Sequence, residues 1–324
     1  MSELPRRLAL APHHAIVATG PRTRRIGDGP AGTRVLDDLS PAVAATLDRL
    51  GAGPRTVAEL QAALPPGRRA ALLVLLGALL RAGLLADPDD GDRMLRRRGS
   101  ALVEVRGDSA LGSAVVAGLA RSGVGHVLPR VTGTVDGADV AAGLPAGDGR
   151  RARALHDLLA AAGVRSGPAG RVPPDLVVLA GARDAAPDSP AVHLVVTLRN
   201  GRGVVGPLLL PGGGPCPECR DRDRDPSAAL PAPRTGDPHV VAATAALAVA
   251  QVLAALDGPA AGSPPPASWR TELELAADLA SITARPLRGR PGCPCDAAAI
   301  RRTAPMTTPT ARCAPPRPGW TIVG

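Results

Sequence analysis

The spacing of apolar residues changes character along the chain. Ala15–Ala18, Thr23–Ile26 and Thr33–Leu36 are short runs bounded by Gly and Pro, a spacing that predicts three strands. Ser40-Pro41 then supplies an N-cap followed by Pro at the first helical position. A helix through Leu47 and Leu50 follows, closed by Gly51 and Gly53. Val57–Leu64 opens at Thr56 and stops at Pro65-Pro66, and Gly67–Ala82 stops at Gly83, with Leu84-Leu85 as a last short strand. Asp87–Arg98 is charged and reads as a linker.

Beyond it the pattern turns to continuous apolar runs separated by helices. Ala101–Val105 predicts a strand, Gly107–Gly112 a glycine-containing turn, Ser113–Ser122 a helix, and His126–Leu128 the next strand, forming a βαβ unit with a Rossmann-like turn. Asp175–Ala180 and Val192–Thr197 have the unbroken apolar texture of strands inside a parallel sheet. Val240–Leu256 is a long Ala-rich helix, and Thr271–Leu275 alternates as a half-exposed strand. The expected division is therefore a unit over 1–98, an α/β unit over 99–300, and a Thr-, Pro- and Arg-rich flexible tail over 301–324.

Composition narrows the chemistry. The chain of 324 residues has no Phe or Tyr and two Trp, so its core is built from Ala, Val and Leu. All 38 basic residues are Arg, which excludes any mechanism that needs a lysine amine. The net charge of +9 is spread along the chain rather than gathered, which argues against nucleic acid as the partner. The apolar run Ala70–Leu80 is shorter than the ~20 residues that span a bilayer and predicts a buried helix, not a membrane segment. No apolar stretch of signal-peptide type follows Met1–Arg7, and the expected location is the cytoplasm.

Of five cysteines, four make two close pairs, Cys216-Pro217-Glu218-Cys219 and Cys293-Pro294-Cys295. Two thiolates on a tight turn converge well on tetrahedral zinc, and a second turn completes the shell. Two disulfides are the alternative, less suited to a reducing cytosol. Four thiolates leave no open position for substrate, so such a zinc is structural. Cys313 stands in a Pro-rich stretch without a nearby His and reads as a bystander, and His13, His14 and His239 lack partners at ligand spacing. Arg220–Asp225 alternates in sign, as a self-paired surface segment or a docking site for a partner enzyme.

Three strands with three helices also describe a winged helix, an arrangement used either to read DNA or to capture a peptide as an added strand. The third helix is Leu- and Ala-rich, with few groups to read base edges. Peptide capture would place Thr33, Arg34, Val35, Leu36, Leu72, Leu76 and Leu79 along the groove, although core packing is the alternative role for each leucine.

The glycine turn, the helix ending Ser122-Gly123-Val124-Gly125, the strand Asp175–Val178 and the two cysteine pairs occur in the order found in ThiF-type, ubiquitin-activating-enzyme-like proteins. Within them, Gly203–Pro211 followed by Pro215-Cys216-Pro217-Glu218-Cys219 resembles the leader-peptide-binding partner proteins of azoline-forming clusters, a group labelled bacteriocin biosynthesis cyclodehydratase domain. The resemblance covers most of residues 8–296. It implies an N-terminal recognition element for a ribosomally made precursor peptide (RiPP biosynthesis), a YcaO-type cyclodehydratase as partner, and a homodimer as a common assembly.

Active ThiF-type proteins adenylate a carboxylate, and here their ATP groups are incomplete. Gly107 and Gly112 remain, but Ser109 holds the middle glycine position, so the turn reads as a vestigial nucleotide loop. No acid closes the strand Val127–Val131, and the family's Arg-Gln segment is missing from Gly133–Gly149, where Asp136 and Asp139 read as solvated loop acids. These departures argue against bound ATP. The expectation is a non-catalytic adaptor: a degenerate Rossmann-like ThiF-type domain stapled by zinc, behind a winged-helix-like unit that holds a precursor leader. The alternatives are an ATP-dependent adenylating enzyme acting on a peptide carboxylate and a winged-helix DNA-binding regulator.

Overall fold

The computed structural model describes residues 4–11, 14–27, 33–147, 149–167, 172–181, 192–210, 219, 236–258 and 265–289. The chain separates into two compact units, one built on Met1–Leu95 and the other on Arg96–Pro259 and the chain from Pro264.

In the first unit, β1 (Arg7–Leu10) pairs with β5 (Arg55–Thr56) on one side and β6 (Leu85–Ala86) on the other. β2 (Ile16–Gly20), β3 (Thr23–Ile26) and β4 (Arg34–Leu36) form a separate antiparallel sheet in that order. Of the three helices, α1 (Pro41–Gly51) starts as the sequence predicts, with Ser40 Oγ accepting from the Val43 N–H and Pro41 in the first turn. α2 (Val57–Ala62) opens on a reciprocal capping box, Thr56 with Glu59. α3 (Pro66–Arg81) contains the apolar run, and its Leu72, Leu76 and Leu79 join Leu8, Ile26, Leu47, Leu50 and Leu60 in one buried core.

The expected linker over 87–98 is largely helix, α4 (Asp90–Ser100). Its charges are placed to favour one: Asp90 and Asp92 in the first turn and Arg97 and Arg98 in the last complement the helix dipole, and Arg93 bridges back to Asp90. Arg98 then forms a two-bond ion pair with Asp257.

The second unit is a seven-stranded sheet in the order β13-β12-β11-β10-β9-β7-β8. β7 (Leu102–Gly107), β8 (His126–Val131), β9 (Leu176–Ala180) and β10 (Val192–Arg199) run parallel, the first two as the βαβ unit predicts and the last two as their continuous apolar texture predicts. β11 (Arg202–Leu209), β12 (Thr271–Leu275) and β13 (Ile282–Pro286) extend it antiparallel. β12 is more buried than its alternation predicts, because Glu272 pairs with Arg199.

α5 (Ala110–Ala120) begins three residues earlier than expected, directly behind Ser109. Together with α6 (Gly137–Ala141), α7 (Arg151–Ala161) and α8 (Pro238–Asp257) it completes the described helices of this unit. Val115, Val116 and Leu119 of α5, Leu155 and Leu159 of α7, and Ala248 and Val252 of α8 pack with Val103, Val105 and Val178 in a core of small aliphatics. By length and composition α8 could cross a membrane, but half of it is buried in this core. Strand order reverses between β7 and β9, the position where open parallel sheets hold ligands at their carboxyl ends.

Candidate functional sites

The carboxyl ends of β7, β8 and β9 meet at the glycine turn. A Cβ on Gly107 would collide with the carbonyl oxygen of Ala180, and one on Gly112 would lie 3.1 Å from Val131 Cγ2. Both glycines are therefore set by close approach, one of strand to strand and the other of helix to strand. Ser109 is buried at the N-cap of α5 yet makes no capping bond. Its hydroxyl lies 3.3 Å from where a Cβ on Gly181 would stand, at the point where strand order reverses.

The loop after β8 supplies a feature that the sequence reading missed. Asp136 and Asp139, expected as solvated loop acids, instead form a capping box that starts α6, and Asp139 is 0 % exposed. Asp139 Oδ2 accepts from Arg151 Nε at 2.7 Å and from the Asp136 N–H at 2.9 Å, and Asp136 Oδ2 accepts from Arg151 Nη2 at 2.6 Å. Arg151 Nη1 donates to the main-chain carbonyls of Asp108 (3.0 Å) and Thr132 (3.2 Å). One guanidinium, itself nearly buried, thus ties the turn after β7 to the loop after β8. Gly133, at φ +98°, leaves the room: a Cβ there would lie 2.6 Å from Arg151 Nη1. Burial works against charge on Asp136, but the Asp139 N–H, the Arg151 charge and the Ala138 N–H outweigh it and hold its pKa below the ordinary value. Asp-Gly-Ala-Asp is a readable capping-box spacing, whereas nothing local marks Arg151 as its partner.

No acid stands at the end of β8, where Arg130 is exposed and Val131 buried. At these carboxyl ends one guanidinium is thus held between two carboxylates.

The residues expected along a peptide groove divide into two sets. Leu72, Leu76 and Leu79 are 1 %, 0 % and 4 % exposed and serve the core, which corrects their placement on an open groove wall. Leucines at this spacing on α3 are drawn inward into the aliphatic core that also holds Leu8, Leu47 and Leu50. Arg34 and Val35 lie on the outer strand β4, Leu36 is half-buried beside the core, and Thr33 immediately precedes the strand. The far edge of β4 pairs with no described strand.

Cys219 is buried. Cys216, Cys293 and Cys295 lie outside the described residues, as do His13, Cys313, the Arg220–Asp225 segment and the tail over 301–324. Among the described residues no group of three or more His, Cys, Asp or Glu is placed to hold a metal ion.

No family model and no curated protein matches this sequence. Solved structures do. Escherichia coli MccB with AMPCPP and MccA matches with a TM-score of 0.66 at 15 % identity, over 89 % of this chain and 99 % of that one. The microcin C7 biosynthetic enzyme MccB in complex with N-formylated MccA gives the same values. PaaA matches with a TM-score of 0.52 at 17 % identity, over 84 % of this chain and 97 % of that one. The chain therefore shares the fold of MccB over most of its length.

Proposed function

We propose that this protein is a peptide-binding adaptor of ribosomal peptide maturation. The first unit, winged-helix-like, takes the leader of a precursor peptide as an added strand on β4. The second unit, stapled by zinc on Cys216, Cys219, Cys293 and Cys295, serves as scaffold. A separate YcaO-type cyclodehydratase then uses ATP to form azolines on the presented core peptide. The observation that carries the peptide-binding part is the edge of β4, which pairs with no described strand and has Val35 55 % exposed on it. The fold is that of MccB, whose solved structures include complexes with the peptide MccA. Titrating the full chain with the leader of a short Cys/Ser/Thr-rich peptide encoded beside its gene tests the role. Micromolar or tighter binding is expected; the absence of binding at that concentration defeats it.

The non-catalytic part of the proposal draws on Arg151. To open the loop after β8, the guanidinium would have to leave two carboxylates and two carbonyls. A second reading, an ATP-dependent adenylating enzyme acting on a peptide carboxylate, is favoured by the close-packed Gly107 and Gly112 and by the MccB structures solved with ATP and AMPCPP. Carboxylate-dependent exchange of pyrophosphate into ATP separates the two. The adaptor gives none.

A further inference from the structure

The charges on the β2–β3–β4 sheet are not used alike. Arg22 pairs with Asp38, and Arg24 is held by both oxygens of Asp48. Arg25 and Arg34 are exposed and make no ion pair among the described residues. Their positions are fixed by register: Arg25 lies opposite Val35, Ile26 opposite Arg34, and Arg24 opposite Leu36. Strand residues alternate between faces, so Arg34 and Leu36 share the face turned to the core, while Val35 and Arg25 share the other. Val17, opposite Arg25 on β2, extends that outer face and is 44 % exposed.

A strand added beyond β4 would meet this pattern in order. Its residue opposite Arg34 would face an unpaired guanidinium, and its residue opposite Leu36, two positions along on the same face, would face a half-buried leucine that already packs on the core. The residue between them would lie on the outer face beside Val35. We propose that the β4 edge selects a leader segment carrying an acidic and an aliphatic residue two positions apart, the acid read by Arg34 and the aliphatic by Leu36. This rests on the peptide-adding role given above and names the sequence class that role takes. Charge complementarity sets the acid, and cross-strand pairing on one face sets the spacing. The order of the pair reports the direction of the added strand: aliphatic before acid for antiparallel, acid before aliphatic for parallel. A phosphate backbone would satisfy Arg25 and Arg34 but offers nothing to Val17 and Val35, which favours a peptide over nucleic acid.

Fluorescent decapeptides with Leu-x-Glu, Glu-x-Leu, Leu-x-Lys or Lys-x-Leu in a Thr/Ser background, titrated against the full chain by anisotropy, test the proposal. One order of the Glu pair should bind about tenfold tighter than its Lys counterpart, since an opposed pair replaces a like-charge clash. Arg34→Glu should invert that preference, and because Arg34 is exposed the variant keeps its fold. N-methylating alternate amides of the preferred peptide should abolish binding in one of the two possible registers. Equal affinity for Glu and Lys peptides with sensitivity to N-methylation would overturn the acid selection and leave the added strand standing. Binding indifferent to N-methylation, or no binding by any of the four, would overturn both. A 20-base-pair duplex that outcompetes the Glu peptides would assign the two arginines to nucleic acid and reject the proposal.

Discussion

Two regions of this molecule hold arginines, and the two use them in opposite ways. On the β3–β4 pair, Arg25 and Arg34 stand in solvent without an ion-pair partner among the described residues. At the carboxyl ends of β7 and β8, Arg151 is buried and bound to two carboxylates and two carbonyls. A solvated cation loses little when it meets a ligand, whereas a buried one must first break its existing bonds and leave a carboxylate stranded in low dielectric. A ligand at Arg34 would displace no ion pair among the described residues, whereas one at Arg151 would have four side-chain hydrogen bonds to break. Ser109 strengthens the contrast, since its buried side chain stands at the reversal of strand order, where the dinucleotide-binding turn has a bare glycine.

The largest test addresses the scaffold side. Structural zinc contributes on the order of 10 kcal/mol to folding in small zinc-binding peptides at neutral pH. Cys216→Ser with Cys293→Ser should remove one zinc per chain, read by metal analysis, and lower the melting temperature of the second unit while sparing the first. Unchanged metal content would remove the staple.

Next in size is Arg151→Met. Asp139 would be left buried and uncompensated, at a cost of about 3–5 kcal/mol in denaturant unfolding of the second unit. Adding Asp139→Asn should recover part of that loss. A cost below about 1 kcal/mol would mean that the loop after β8 opens freely, and the contrast between the two regions would fall.

How much of this was readable in advance follows from range. β2, β3, β4 and the start of α1 were legible because each is announced by neighbours in sequence: turn glycines, Ser40 and Pro41. The parallel strands were legible because burial on both faces leaves an unbroken apolar run. A short strand was expected at Leu84-Leu85, where β6 lies, but β1, β5 and their pairings were not, since these last two residues each and join segments about 50 and 75 positions apart. The Arg151 site was missed for the same reason: its partners come from three segments, Asp108, Thr132 and Asp136–Asp139, and only the last has a local signature. α4 is dense in charge and short of apolar residues, which gives it the texture of a linker, and the Asp257 that pairs with its Arg98 lies 159 positions away.

The third test separates groove from core within the first unit. Leu76→Ala should cost about 2–5 kcal/mol of stability, as expected for a leucine at 0 % exposure. Val35→Thr should change stability by no more than about 0.5 kcal/mol yet weaken peptide binding at the edge. If Leu76→Ala instead lowers affinity without lowering stability, α3 belongs to the binding wall and the correction to its leucines is reversed.

The smallest effect is a pH dependence, and it probes how the open edge is held in place. Arg24 reaches from β3 to Asp48 on α1 at 2.6 and 2.8 Å, and its Nη1 also donates to the carbonyls of Gly20 and Thr23 at the hairpin turn. The hydrogen bonds from Arg24, assisted by its charge, outweigh burial and hold the Asp48 carboxyl below its ordinary value of 3.8. A depressed pKa in the folded state means that the unfolded chain binds the proton first. The stabilisation is therefore complete above the unfolded value, near 4, and declines as pH falls through the folded one. Arg24 remains charged throughout, so the loss follows Asp48 alone. Acid titration of the first unit's unfolding should show this decline at or below pH 4, and Asp48→Asn should flatten it while leaving Arg34 and Val35 in place. A decline unaltered by Asp48→Asn would show that the sheet bearing the β4 edge is held on α1 by the aliphatic core that includes Ile26, Leu47 and Leu50, and not by the ion pair.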